Sequence, residues 1–216
     1  MDIFTIIGRE YDSNIYVITG ENPTIIDTGT GFHSKVIQTT IKKYVDPLNI
    51  NQIILTHEHY DHVGGAKDLM NFTKGHAKII AHTAAAEKLK TGKSTFAEML
   101  GGIMPTLIVD ISLSGNEYLL IGDETFQVLA TPGHSLGSIC LYNQKRKILF
   151  SGDTVFADGG FGRYDFPGGD FSALVQSLKE LSALDISDLY PGHGSVVEGS
   201  GKNHIKKSYK NIQSMI

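Results

Sequence analysis

Five times along the chain an apolar, strand-like run ends on an acid or a histidine. The runs are TIIDTG at Asp27, QIILTHEHYDH at His57, His59, Asp61 and His62, FQVLATPGH at His134, KILFSGD at Asp153 and DLYPGH at His193. In open αβ sheets, ligand sites form just beyond the carboxyl ends of the strands. Residues scattered over the sequence can therefore meet on one rim, and the pattern calls for alternating strands and helices whose strands finish together.

The hydrophobic periodicity supplies such elements. Short β-like runs open the chain (DIFTII, NIYVIT, TIIDT), GTGF breaks it, and HSKVIQTTIKKY carries apolar residues at helical spacing. QIILT leads into the histidine-rich stretch; a helix (AKDLMNF), a strand (KIIA) and a helix (AAAEKLK) follow, and TLIVD marks the midpoint. The second half reads as strands EYLLI, TFQVLA, SICLYN and KILFSGD, a helix FSALVQSLKELSAL, a strand DLYPG and a closing helix near HIKKSYKNIQ. The halves, about 1–110 and 111–216, share a grammar: TIIDTG matches ILFSGDT, and IILTHEH matches DLYPGHG. No polar linker parts them, so the expectation is one domain of two αβ halves packed sheet against sheet, helices outside.

Composition narrows the function. With 41% apolar residues in 216, the chain can bury a substantial core. Nineteen Lys and Arg against 23 Asp and Glu make it mildly acidic, which argues against a general nucleic-acid binder, since that affinity is mostly electrostatic. No run reaches membrane-spanning length, and the amino terminus lacks a signal-peptide core. Cys140, the single cysteine, lies in the apolar run SICLY. It reads as a buried, inert thiol, and the address expected is cytoplasmic, with the oligomeric state open.

Imidazole and carboxylate are the preferred ligands of zinc, iron and manganese, and the absence of thiolates disfavours a closed structural zinc site. Five histidines and two acids exceed one tetrahedral shell, whereas two metals sharing a carboxylate would use all seven. Two near-motifs fail. HExxH would need a histidine where Asp61 stands, and TGKST at 91–95 lacks the glycine of a phosphate loop, Glu87 standing there. His33, His76, His82 and His204 lack a strand-end context and read as surface or packing residues.

At these positions the chain resembles the metallo-β-lactamase fold superfamily, whose HxHxDH motif stands complete as His57, His59, Asp61 and His62, with TPGHS, SGDT and PGHG following in order. The resemblance implies a four-layer αββα sandwich of two similar halves. It implies two divalent metal ions, zinc first with iron or manganese as alternatives: His57, His59 and His134 on one ion, Asp61, His62 and His193 on the other, Asp153 between them. It also gives Asp61 a catalytic role in positioning the attacking hydroxide and makes Asp27 a partner that orients the site.

The loop GDTVFADGGFGRYDFPGGD resembles that of glyoxalase II-like hydrolases and the related persulfide dioxygenases. By that likeness Arg163 and Tyr164 are candidates for binding a thiol carrier; anchoring the loop is the alternative role. The implied activity is metal-dependent hydrolysis of a small acyl-thioester. Glyoxalase II has a helical region beyond the domain that completes its glutathione site, and 23 residues follow His193 here, so another carrier stays open. The alternatives are a persulfide dioxygenase with one iron on His57, His134 and Asp153, or another hydrolase of the fold such as a lactonase. The stretch TGKSTFAEMLGGIMPT is expected to bury one side in the core, or else to cover the site or make a subunit contact.

Overall fold

The computed structural model describes residues 1–93 and 96–215. The chain forms two compact units: Met1–Leu113 with Leu120–Thr125, and Ser114–Leu119 with Phe126 onward. The first unit begins with β1 (Ile3–Ile6), β2 (Ile15–Ile18) and β3 (Thr24–Ile26), then α1 (Ser34–Ile41) and β4 (Gln52–Leu55). It continues through α2 (Tyr60–Val63), α3 (Ala66–Phe72), β5 (Lys78–His82), α4 (Thr83–Thr91) and β6 (Ile111–Leu113).

Among the described residues these strands form one sheet in chain order. β1, β2 and β3 pair antiparallel, and β3 through β6 pair parallel. That change explains why β3 and β4 are unbroken apolar runs. Parallel strands covered on both faces have no solvent side to alternate with, and every residue of TII and QIIL is buried. Ile53 and Leu55 face a core built with Ile37 and Ile41, which are four residues apart on α1 and so share one face. Ile26, Ile54 and Ile80 are equally buried.

The strand β6 lies just beyond the TLIVD run that marked the midpoint, and residues 106–109 are irregular. Ser94 and Thr95, part of the TGKST stretch, lie outside the described residues. Of the segment that follows, Leu100 and Met104 pack into the first unit's core, whereas Met99 and Ile103 are exposed.

The second sheet contains β7 (Tyr118–Ile121), β8 (Glu124–Ala130), β9 (Ile139–Asn143), β10 (Ile148–Gly152) and β11 (Asp188–Pro191), ordered β11-β10-β9-β8-β7. β9 is antiparallel to both β8 and β10, and β11 is parallel to β10, so β8, β10 and β11 all end on the same edge. The helix α5 (Phe171–Ala183) links β10 to β11, and α6 (Gly201–Gln213) follows. Asp170 starts α5 by accepting a hydrogen bond from the Ala173 amide at 2.9 Å. Leu174, Leu178 and Leu181 form its apolar stripe, packed with Leu149, Leu189, Ile205 and Ile212. Cys140 lies in this core, and burial pushes its thiol up to about 11, so it stays a protonated, inert thiol.

Candidate metal centre

In the first unit the parallel strands β3 and β4 end side by side, which sets the loop at Asp27 against the turn at His57. Asp27 is buried with its backbone in the left-handed region (φ 59°), a conformation aspartate tolerates better than most residues. Its amide donates to the Ile54 carbonyl at 2.9 Å. Its Oδ1 accepts the Thr56 amide, and its Oδ2 accepts the Thr56 hydroxyl, each at 2.8 Å. The same Oδ2 lies 2.8 Å from Nδ1 of His62.

These bonds fix the histidine tautomers. A carboxylate only accepts, so the His62 proton sits on Nδ1 and leaves the Nε2 lone pair for a metal. The Thr56 hydroxyl has given its one proton to Asp27, so at 3.2 Å it accepts from Nδ1 of His57 and that ring too keeps its Nε2 lone pair. The rings of His57 and His59 meet edge to face at 4.7 Å, and that of His62 lies 4.1 Å from His57. Asp61 and His62 offer ligand atoms within 4.8 Å of each other.

The turn is tied down by close backbone packing. Thr28 donates both its amide (2.7 Å) and its hydroxyl (2.8 Å) to the His62 carbonyl. A Cβ on Gly64 would stand 2.3 Å from the Thr30 carbonyl oxygen, and one on Gly65 the same distance from that of Thr28. The two glycines after the histidines thus let two loop backbones touch.

Glu58, between His57 and His59, points away from the imidazoles and pairs with Lys88 of α4 at 2.5 Å. Burial raises its pKa, but the Lys88 ammonium more than offsets this and holds the carboxyl below its usual value. Neither partner stood out in the sequence. The signal available was an acid inside an apolar-flanked HEH, a place where a carboxylate needs a cation.

In the second unit His134, Asp153 and His193 follow β8, β10 and β11, the three strands that end on one edge. Nδ1 of His134 lies 2.7 Å from the Arg163 carbonyl, which can only accept, so this ring also presents an unprotonated Nε2. That Nε2 is 3.6 Å from Asp153 Oδ2, as is Nε2 of His193. His134 and Asp153 are buried, while the His193 side chain is 37% exposed. A Cβ on Gly162 would lie 2.0 Å from the Asp153 carbonyl oxygen and 2.9 Å from the His134 ring. The glycine-rich loop therefore lies directly on two ligand-type residues.

The Arg163 side chain is exposed, bonded through Nε and Nη2 to Asp165 at 2.9 and 2.7 Å and stacked over Phe166 at 4.1 Å. Tyr164 packs on Phe171, ring centroids 4.8 Å apart. Arg163 thus pairs within the loop, and Tyr164 packs on the first residue of α5. Of the remaining histidines, His33 pairs with Asp12 at 2.7 Å, His82 accepts the Ala84 amide at the start of α4, and His204 accepts the Asp158 amide.

Residues 8–193 match the model of the metallo-beta-lactamase superfamily. The chain belongs to that superfamily. It is 31% identical over 201 residues to a probable metallo-hydrolase of Methanocaldococcus jannaschii, covering 90% of this chain and 93% of the relative. It is 33% identical over 186 residues to the hydroxyacylglutathione hydrolase GloC of Haemophilus influenzae, covering 81% of each. A protein whose structure was solved in a di-iron-bound form matches with a TM-score of 0.74 at 31% identity, covering 90% of this chain and 94% of that one. The fold is the αββα sandwich of the superfamily, and the protein is a metal-dependent hydrolase of that fold. No helix among the described residues is long and apolar enough to cross a membrane.

Proposed function

We propose that the protein hydrolyses small acyl-thioesters at a dinuclear centre, with His57, His59 and His134 holding one ion, Asp61, His62 and His193 the other, and Asp153 between them. The observation that carries the reading is the oxygen that faces Nδ1 of each of His57, His62 and His134. Three imidazoles have Nδ1 committed to an oxygen acceptor and Nε2 left as a ligand. Further support comes from the donor set within each unit: Asp61 and His62 offer ligand atoms within 4.8 Å of each other, and Nε2 of His134 and of His193 each lie 3.6 Å from Asp153 Oδ2. The like-sized hydroxyacylglutathione hydrolase and di-iron relatives agree with it.

Bound divalent ions supply a water activated at neutral pH and polarisation of a carbonyl oxygen. The chain's own residues do the rest. Asp61, partly open to solvent while its neighbour His62 is fully buried, would position the attacking hydroxide while serving as a metal ligand. Asp27 keeps His62 in one tautomer and one orientation. A thiolate is a stable leaving group and needs no separate acid. The loop from Gly162 to Asp165 lies against His134 and is the natural wall for a carrier thiol.

Metal analysis of protein purified without added metal, joined to assays with S-lactoylglutathione, other acyl-thioesters and glutathione persulfide, tests the reading. Two ions per chain with thioester turnover is the expected result. A single iron with oxygen uptake on the persulfide would replace it with the dioxygenase alternative.

A further inference from the structure

Away from the metal-ligand histidines, the first unit holds a cavity of about 350 Å³, within the size range of small-molecule sites. None of the metal-ligand residues line it. Its body is aliphatic, formed by Ile6 and Ile15 of the β1 and β2 strands and by Val36 and Ile37 of α1.

Its polar lining is nearly spent. Asp12 accepts the Thr30 amide at 2.7 Å and the Thr30 hydroxyl at 2.5 Å on Oδ1, and bonds His33 Nδ1 on Oδ2. The Thr40 hydroxyl donates to the Val36 carbonyl. Two groups are left over. Arg9 lines the cavity from the exposed loop and forms no ion pair among the described residues, and the Ser13 hydroxyl in the wall is buried without a hydrogen-bond partner. A guanidinium beside an aliphatic hollow is a receptor for a carboxylate with a hydrocarbon tail, because its planar fork matches the two oxygens. An amine would need Asp12, whose lone pairs already serve three donors.

We propose that this cavity binds a short aliphatic monocarboxylate, its chain against Ile6, Ile15, Val36 and Ile37 and its carboxylate on Arg9. The inference does not depend on the thioesterase reading, and its test involves no turnover.

Metal-loaded protein labelled at isoleucine methyls is titrated with hexanoate, and with hexanol as the uncharged control. The expected result is saturable shifts at Ile6, Ile15 and Ile37, with hexanol at least tenfold weaker. Arg9→Gln, at an exposed position that leaves the fold intact, should weaken hexanoate at least tenfold, and Val36→Trp at the half-open rim should abolish the shifts. Equal response to hexanol, unchanged affinity in R9Q, or shifts confined to Ile53 and Ile54 near the histidine turn would each overturn the proposal.

Discussion

Asp27 holds the proton of His62 Nδ1 at 2.8 Å while its own amide is fastened to Ile54, so a residue at the end of one strand sets the tautomer of a histidine 35 positions later. Asparagine at position 27 keeps the left-handed backbone accessible but replaces the carboxylate with a neutral amide. Asp27→Asn should therefore still fold, with stability lowered by about 1–3 kcal/mol for the acceptor it loses, and bind its more weakly held ion about 10–100-fold less tightly, the usual cost of losing such an outer partner. A chelator competition titration reads this directly. Unchanged affinity for both ions would show that the bond is incidental.

Gly162 is a steric prediction. A methyl group there meets the Asp153 carbonyl oxygen at 2.0 Å, so backbone has to move, not a flexible side-chain tip. Gly162→Ala should cost about 3 kcal/mol, at the upper end of ordinary overpacking. In a chain of this size that is a fall in Tm of roughly 6–12 °C. The displaced atoms belong to two ligand-type residues, so metal content after dialysis should fall with it. A Tm within a degree of wild type would mean the loop has slack that the geometry denies.

How much of this could be read beforehand follows from periodicity and its limits. The strand ends at Asp27, His57, His134, Asp153 and His193 were legible because an apolar run that stops on a ligand-type residue leaves a mark in one dimension. The strand at Ile111–Leu113 was not. It is three residues long, two of them exposed, and it sits beside the more apolar run TLIVD. Glu58 and Lys88 are 30 residues apart, and nothing in either neighbourhood names the other; a buried ion pair is a fact of tertiary packing. The roles of Gly64, Gly65 and Gly162 were hidden for the same reason, since a close approach involves a second backbone the sequence does not identify.

The Glu58–Lys88 pair makes a prediction with a sign. The folded carboxyl titrates below its unfolded value, so its contribution is present above the ordinary carboxylate range and is lost as pH falls through the depressed folded value. Lys88→Met leaves the fully buried carboxylate without its ammonium and should cost about 3–5 kcal/mol at pH 7. The deficit should shrink in acid, where the variant can protonate Glu58 instead, and Glu58→Gln added to Lys88→Met should recover part of it. Urea midpoints at pH 7 and pH 4.5 for the two variants decide the matter. A deficit that is the same at both pH values would assign the loss to side-chain packing.

Glu117 offers a second acid-linked group, of a different kind. Burial raises its pKa, but the Ser114 hydroxyl and the amides of Ser114 and Gly115 together outweigh it and hold the carboxyl down at about 2, against a usual 4.5. The amide of Asn116 adds a bond at 3.0 Å. Depression of the folded value means stability that is full above pH 4.5 and disappears as pH falls from there towards 2. The residue is only partly buried, so water screens much of the gain, and Glu117→Gln should cost no more than about 1 kcal/mol at pH 7. The difference between wild type and variant should narrow below pH 4.5 and close near pH 2. Thermal melts across that range give the curve, and a gap that widened in acid would require the carboxyl to be raised, contrary to its four donors.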